Sequence, residues 1–155
     1  MTARLPGRRG SGSFVIPYLR VELSPLTKLV PAAEVRLSWM GRASVVWMLV
    51  DTGSTVSVIP PTVAEELGLE LVEAPHPVKG MGGDVRVRST RAHAQLVSPD
   101  TRGRLGRSWL LDPLLVVPRD DSIPIPLLGR KPFLEHHELT VREDRTELVL
   151  RELPG

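Results

Sequence analysis

Apolar and polar positions change rhythm several times along the chain, and most of the rhythms are those of strands. Glu34-Val35-Arg36-Leu37-Ser38-Trp39 alternates with period two, the pattern of a strand with one buried face. Gly41-Arg42 offers a tight turn. Ser44 to Val50 then runs Ser-Val-Val-Trp-Met-Leu-Val, nearly continuous apolar, which predicts a strand buried on both faces. The pair makes a hairpin whose second strand leads straight into Asp51-Thr52-Gly53-Ser54. Upstream, Phe14-Val15-Ile16 followed by Tyr18, Leu19, Val21 and Leu23 predicts a strand interrupted by Pro17, a residue suited to a sheet edge. Ala92 to Val97 and Trp109 to Val117 predict two further strands joined by a long arginine-rich loop, Ser98 to Ser108. Leu139 to Arg142 and Glu147 to Leu150 predict a closing pair around a charged turn.

Helical signals are few. Pro60-Pro61-Thr62-Val63-Ala64-Glu65-Glu66-Leu67-Gly68 places prolines at a helix start and glycine at its end, predicting a helix of about two turns. Pro132 to His136 predicts a second, shorter helix. Between β-prone stretches, Lys79-Gly80-Met81-Gly82-Gly83-Asp84 reads as a glycine-tipped hairpin within Pro77 to Thr90, and Pro118 to Pro126 reads as irregular. Fifteen prolines and thirteen glycines leave no room for long helices, so the expected class is all-β with one or two short helices. No internal repeat and no second Asp-Thr-Gly occurs.

A chain of 155 residues fits one domain, expected over residues 13–155 behind a flexible Gly/Ser/Arg arm at 1–12. The net charge of +2 does not argue for nucleic acid, and the basic clusters Arg4, Arg8, Arg9 and Arg102, Arg104, Arg107 read as solvated mobile segments without interleaved aromatics. The absence of cysteine excludes disulfides and thiolate metal sites. His136-His137 beside Glu135 and Glu138 is a poor metal site, because adjacent residues on a helix point apart, and it reads as a solvated helix end. No metal or other cofactor is expected. No apolar run approaches the roughly 20 residues that span a bilayer, and no apolar segment follows the arginines of the first residues, so neither membrane nor secretion is expected and the location expected is cytoplasmic.

Asp51 follows a continuously apolar strand and therefore sits at the edge of a core, where desolvation opposes ionisation. Gly53 lets the backbone turn sharply and admits another chain or a substrate. A single carboxylate there has no evident task, and a turn aspartate closing a strand is its plainest reading. Two such carboxylates brought face to face by a two-fold axis would share one proton, one taking a proton from water while the other donates to a carbonyl oxygen. Peptide hydrolysis without a metal or covalent intermediate would follow.

Trp47-Met48-Leu49-Val50-Asp51-Thr52-Gly53-Ser54-Thr55-Val56-Ser57-Val58-Ile59 resembles the catalytic strand and loop of retropepsin-like aspartic proteases. Leu127-Leu128-Gly129-Arg130 resembles that family's second signature, and Val78-Lys79-Gly80-Met81-Gly82-Gly83 resembles its flap, in the right order over Pro31 to Leu150. The resemblance implies a closed, barrel-like acid protease fold with a flap hairpin, completed by homodimerisation. It implies that Asp51 is catalytic, that Thr52 hydrogen-bonds across the dimer, and that Gly53 presents its backbone to a peptide substrate. Ser54, Gly80, Met81, Gly82 and Gly83 would contact that substrate, and Leu128, Gly129 and Arg130 would support the loop from beneath. The strands near Phe14 to Leu23 and Leu148 to Leu150 would form the dimer seam. Lys131 departs from the family's usual Asp or Asn, which weakens the expected helix cap. The alternative reading keeps the fold without catalysis, as a dimerisation or peptide-binding module.

Overall fold

A computed structural model of the protein describes residues 12–23, 25–74, 78–80, 83–118 and 126–155. Most of the predicted arm, the predicted flap tip at Met81 and Gly82, and most of the predicted irregular stretch lie outside the described residues. The chain begins with β1 (Ser13–Pro17), β2 (Leu19–Leu23), β3 (Leu26–Val30), β4 (Ala32–Trp39) and β5 (Arg42–Val50). It continues through β6 (Ser57–Ile59), helix α1 (Pro61–Leu67), β7 (Val72–Glu73), β8 (Val78–Gly80) and β9 (Gly83–Val85). It ends with β10 (Arg88–Val97), β11 (Arg104–Val116), β12 (Leu127–Leu128), β13 (His137–Arg142) and β14 (Glu147–Glu152).

Six strands close a barrel. Their order around the wall is β11-β6-β12-β5-β4-β10, and β10 pairs again with β11. β7 adds to β10 at Arg88 and Ser89. Most pairings are antiparallel, but β12 runs parallel to β5 and β6 runs parallel to β11. A parallel pair needs a crossover, and here the partners of β5 and β6 come from a part of the chain more than fifty residues away.

The interior is filled by one large apolar cluster. It takes Val35 and Leu37 from β4, Met48 and Val50 from β5, Leu96 from β10, Leu111 and Leu114 from β11, and Leu128 from β12. The alternation in β4 is as predicted, with Leu37 and Val35 fully buried. For β5 the expectation of burial on both faces is wrong. Met48 and Val50 point into the core, whereas Val45 is 47% exposed and Trp47 37%, because a barrel wall has only one inner face.

Helix α1 closes one side of the barrel by burying Val63, Ala64 and Leu67. It begins at Pro61, whose missing N–H would be unpaired there anyway, and stops at Gly68 in the left-handed conformation (φ 62°). The Gly68 N–H donates to the Glu65 carbonyl at 3.0 Å.

β1, β14 and β13 form a separate antiparallel sheet in that order. Pro17 lies on the edge strand, as the sequence predicts. Ile16, Leu148 and Leu150 turn inward and join the main core. β2–β3 and β8–β9 are hairpins of their own.

The predicted loop from Ser98 to Ser108 is shorter than expected. β11 starts at Arg104, and the turn at Ser98–Gly103 is closed by the Ser98 N–H donating to the Gly103 carbonyl at 2.7 Å. Two of its arginines are engaged: Arg102 pairs with the nearly buried carboxylate of Glu34, and Arg107 lies 3.6 Å from that of Glu152.

Leu37→Ala removes a fully buried side chain at the centre of the wall and leaves a cavity. The expected loss is about 2–5 kcal/mol, seen as a lower denaturation midpoint with an unchanged slope.

Candidate active site

Asp51 is the first residue past β5 and is half-buried. The end of its strand is held from both sides. The Leu49 N–H donates to the Pro126 carbonyl at 2.8 Å, and the Val50 N–H donates to the Pro31 carbonyl at 2.8 Å. The Asp51 N–H then donates to the Leu128 carbonyl at 3.0 Å, so β12 continues its parallel pairing with β5 up to the carboxylate itself.

Beyond Asp51 the backbone reverses. The Ser54 N–H donates to the Asp51 carbonyl at 3.2 Å, and the Gly53 N–H donates to Asp51 Oδ1 at 2.9 Å. That second bond fixes one carboxylate oxygen against the loop's own backbone. Thr52 and Gly53 are exposed at the turn, and Ser54 Oγ donates to the Val56 carbonyl at 2.6 Å.

The segment after Leu128 supports this loop along its length. The Arg130 N–H donates to the Ser54 carbonyl at 2.9 Å, the Lys131 N–H donates to the Thr55 carbonyl at 2.8 Å, and Val56 bridges Lys131 in parallel. Gly129 lies so close beneath the loop that a Cβ there would meet the Val56 carbonyl oxygen at 2.3 Å. Its N–H donates to the hydroxyl of fully buried Ser57 at 3.0 Å. Arg130 is exposed, and its Nη2 donates to Thr55 Oγ1 at 3.2 Å. Seven of the sequence-predicted site residues therefore come together: Asp51, Thr52, Gly53 and Ser54 above, with Leu128, Gly129 and Arg130 beneath.

The predicted flap is a β8–β9 hairpin in which Gly80 pairs with Gly83. It is hydrogen-bonded as a two-stranded unit, apart from the barrel wall, and Met81 and Gly82 lie outside the described residues. The expected side-chain cap on the helix after Arg130 is absent, as the lysine at 131 suggests. That helix is a 3-10 turn, Leu134–His136, with no side-chain cap bond.

The family model for aspartyl proteases matches residues 35–130, more than half of the chain. The chain belongs to the aspartyl protease family. Within it the fold is retropepsin-like. A retropepsin-like aspartic protease from Rickettsia conorii superimposes with a TM-score of 0.58 at 16% identity, covering 92% of each chain. EIAV protease, solved in complex with the inhibitor HBY-793, aligns at a TM-score of 0.44 and 21% identity, over 65% of this chain and 82% of that one. No curated protein matches the sequence significantly.

Three contributors to the candidate site are not evident in the sequence. Ser57 stands alone between valines in an apolar stretch, and a polar residue at a buried strand position is the one signal that marks it. The carbonyls of Pro31 and Pro126 leave no signal in side-chain identity, because their role is backbone acceptance.

Gly129→Ala forces the two backbones apart and is expected to cost at least the ~1–3 kcal/mol typical of overpacking. Ser57→Ala leaves the buried Gly129 N–H unpaired, at about 1–3 kcal/mol. Chemical denaturation of the two single variants and the double variant measures both; the double is expected to lose less than the sum, since the two changes share one partner.

Proposed function

We propose that the protein is an aspartic endopeptidase that works as a homodimer, with the attacking water activated by two Asp51 carboxylates, one from each subunit. The observation that carries this reading is that the chain supplies one Asp-Thr-Gly, on a loop whose backbone is tied throughout, within a retropepsin-like fold. General acid–base hydrolysis of an amide needs a proton acceptor and a proton donor at once. One carboxylate serves as only one of these; two related by a two-fold axis hold a single proton between them and serve as both.

In the proposed reaction the ionised Asp51 takes a proton from water as it attacks the scissile carbonyl. The protonated Asp51 donates to the carbonyl oxygen. Collapse of the tetrahedral intermediate then returns a proton to the departing amine. The Gly53 N–H keeps one Asp51 oxygen in fixed orientation, so less reorganisation is needed during reaction. Thr52, exposed at the turn, is proposed to bond across the two-fold axis, and the β8–β9 hairpin to close over the peptide and exclude water. Half-buried Leu49 and Leu127 pair beside Asp51, which favours apolar residues next to the scissile bond.

The strands near Phe14 to Leu23 and Leu148 to Leu150 are proposed as the dimer seam; within one chain β1 pairs with β14 from Ser13↔Arg151 to Pro17↔Glu147.

The test is cleavage of an unbiased peptide mixture across pH ~4 to ~7, the span in which a proton-sharing carboxylate pair operates. Wild type is expected to cut, with activity falling on both sides of an optimum, and Asp51→Asn to lose at least about a hundredfold. Sedimentation of the Asp51→Asn protein is expected to show a dimer. Folded, dimeric protein that cuts nothing would instead support a peptide-binding module.

A further inference from the structure

The hydrogen-bonded support of the Asp51 loop does not end at Gly129. The Leu134 N–H donates to the Gly129 carbonyl at 3.3 Å, and the Glu135 N–H donates to the Arg130 carbonyl at 2.8 Å. The strip of backbone beneath the loop is thus continuous with the 3-10 turn Leu134–His136. At the far end of that turn stands His137, the first residue of β13. The sequence-based expectation of a solvated helix end fails here, since His137 is only 7% exposed.

The imidazole is held by geometry on several sides. Its Nδ1–H donates to the Phe133 carbonyl at 2.8 Å, closing the turn. The Phe133 ring, itself in the core, stacks on it at 4.7 Å, and Trp109 of β11 meets it edge-on at 6.0 Å. Trp109 in turn stacks on the His136 ring at 4.2 Å, and the Arg107 guanidinium lies 4.8 Å from its ring centroid. β14 completes the enclosure: Glu152 pairs with His137, and the Leu153 N–H donates to the His136 carbonyl at 2.9 Å.

Among the described residues the enclosure lacks a partner for His137 Nε2, which is buried with no hydrogen bond. The nearby indole N–H of Trp109 is also unpaired, but it is a donor and offers nothing to a protonated Nε2. Among the described residues, the charged or titratable groups facing His137 are His136 from its own turn, Arg107 from β11 and Glu152 from β14. The one carboxylate is already engaged: Glu152 Oε1 accepts the Arg107 N–H at 2.6 Å, and Oε2 lies 3.6 Å from Arg107 Nε. Among the described residues Nε2 of the neutral imidazole has no hydrogen-bond partner, and Glu152 is the one carboxylate that acts on it.

We propose that His137 is a positioning residue for the Asp51 loop: its neutral imidazole ties the turn beneath that loop to β13 and β14, and acid loosens the tie. The electrostatics agree in sign. Burial pushes His137 below its ordinary value of 6.5; the Phe133 carbonyl and Glu152 pull back, while His136 and Arg107 push further down. A group whose folded form resists the proton contributes stability that is fully present above about 6.5 and lost as the pH falls from there toward the folded value. The acid limb of peptide hydrolysis would then have a second cause beside the carboxylate pair. That part of the inference rests on the proposed function; the structural part does not.

Hydrogen exchange of the full chain carrying Asp51→Asn, which prevents self-cleavage, reads the tie directly. After correction for intrinsic exchange, the opening constant at Leu134, Glu135 and Leu153 is expected to rise as the pH is lowered from 7.5 to 5, by up to about tenfold per unit for one linked proton. In the same background His137→Phe keeps an aromatic ring but takes up no proton, and its opening constant is expected to stay flat. Should that variant not fold, nitrogen NMR of the histidines in the Asp51→Asn protein decides instead. His137 is expected to keep its neutral Nδ1–H form at a pH where N-acetylhistidine in the same tube is half protonated. A pH-independent opening constant, an equal rise in His137→Phe, or His137 protonating with or before the standard would each overturn the proposal. If peptide cleavage is absent but exchange behaves as expected, the functional reading fails and this one stands.

Discussion

Two stretches of backbone far apart in sequence lie within van der Waals distance of each other at Gly129 and Val56, and the candidate site depends on that approach. A Cβ at 129 would sit 2.3 Å from the Val56 carbonyl oxygen, so the contact exists only because the side chain there is a hydrogen. From it follow the bonds on either side: Leu128 to Asp51, Arg130 to Ser54, Lys131 to Thr55, and Ser57 to Gly129 itself. The loop that carries the carboxylate has little stiffness of its own. Its internal bonds, from Gly53 and Ser54 back to Asp51 and from the Ser54 hydroxyl to the Val56 carbonyl, set the local turn, and the second segment sets its place relative to the barrel.

The barrel supplies the frame for that approach. β12 is only two residues long, yet it is inserted between β5 and β6 and makes the parallel register that aligns Leu127 with Leu49 and Leu128 with Val50. So short a strand has almost no intrinsic tendency to form; burial of Leu128 in the common core holds it there. The site is therefore as stable as the wall around it. Core packing and loop geometry are two aspects of one arrangement.

The alternation of Glu34 to Trp39, the glycine after Leu67, the proline on β1 and the position of Asp51 at a strand end were all legible, because each is a local rule acting on adjacent residues. Failures arose where tertiary context decides. Ser44 to Val50 looks uniformly apolar, but a closed wall has one inner face, which leaves Val45 and Trp47 toward solvent. The arginines at 104 and 107 looked like loop residues because of their glycine and serine neighbours; Arg104 pairs with Val97 of β10, and Arg107 lies in the same strand at a register shift, its amide received by Glu152. β3 has no clear signal, since Leu26 to Val30 is exposed at nearly every position. Within the site, the Asp-Thr-Gly and Leu-Leu-Gly-Arg segments were visible as motifs. The carbonyls of Pro31 and Pro126 and the buried hydroxyl of Ser57 were not, since backbone acceptance and a single burial event leave almost no trace in residue type.

The long separation between Asp51 and its support has a consequence for biosynthesis. Residues 126–131, which fix the loop, are made some seventy-five residues after the carboxylate they hold. Until they emerge from the ribosome, β5 and β6 have an empty lane between them and the Asp51 loop has no external backbone donors from that segment. Contacts of such sequence separation also form late in folding, after the local hairpins. The nascent chain thus carries the aspartate long before it carries the conformation that aims it.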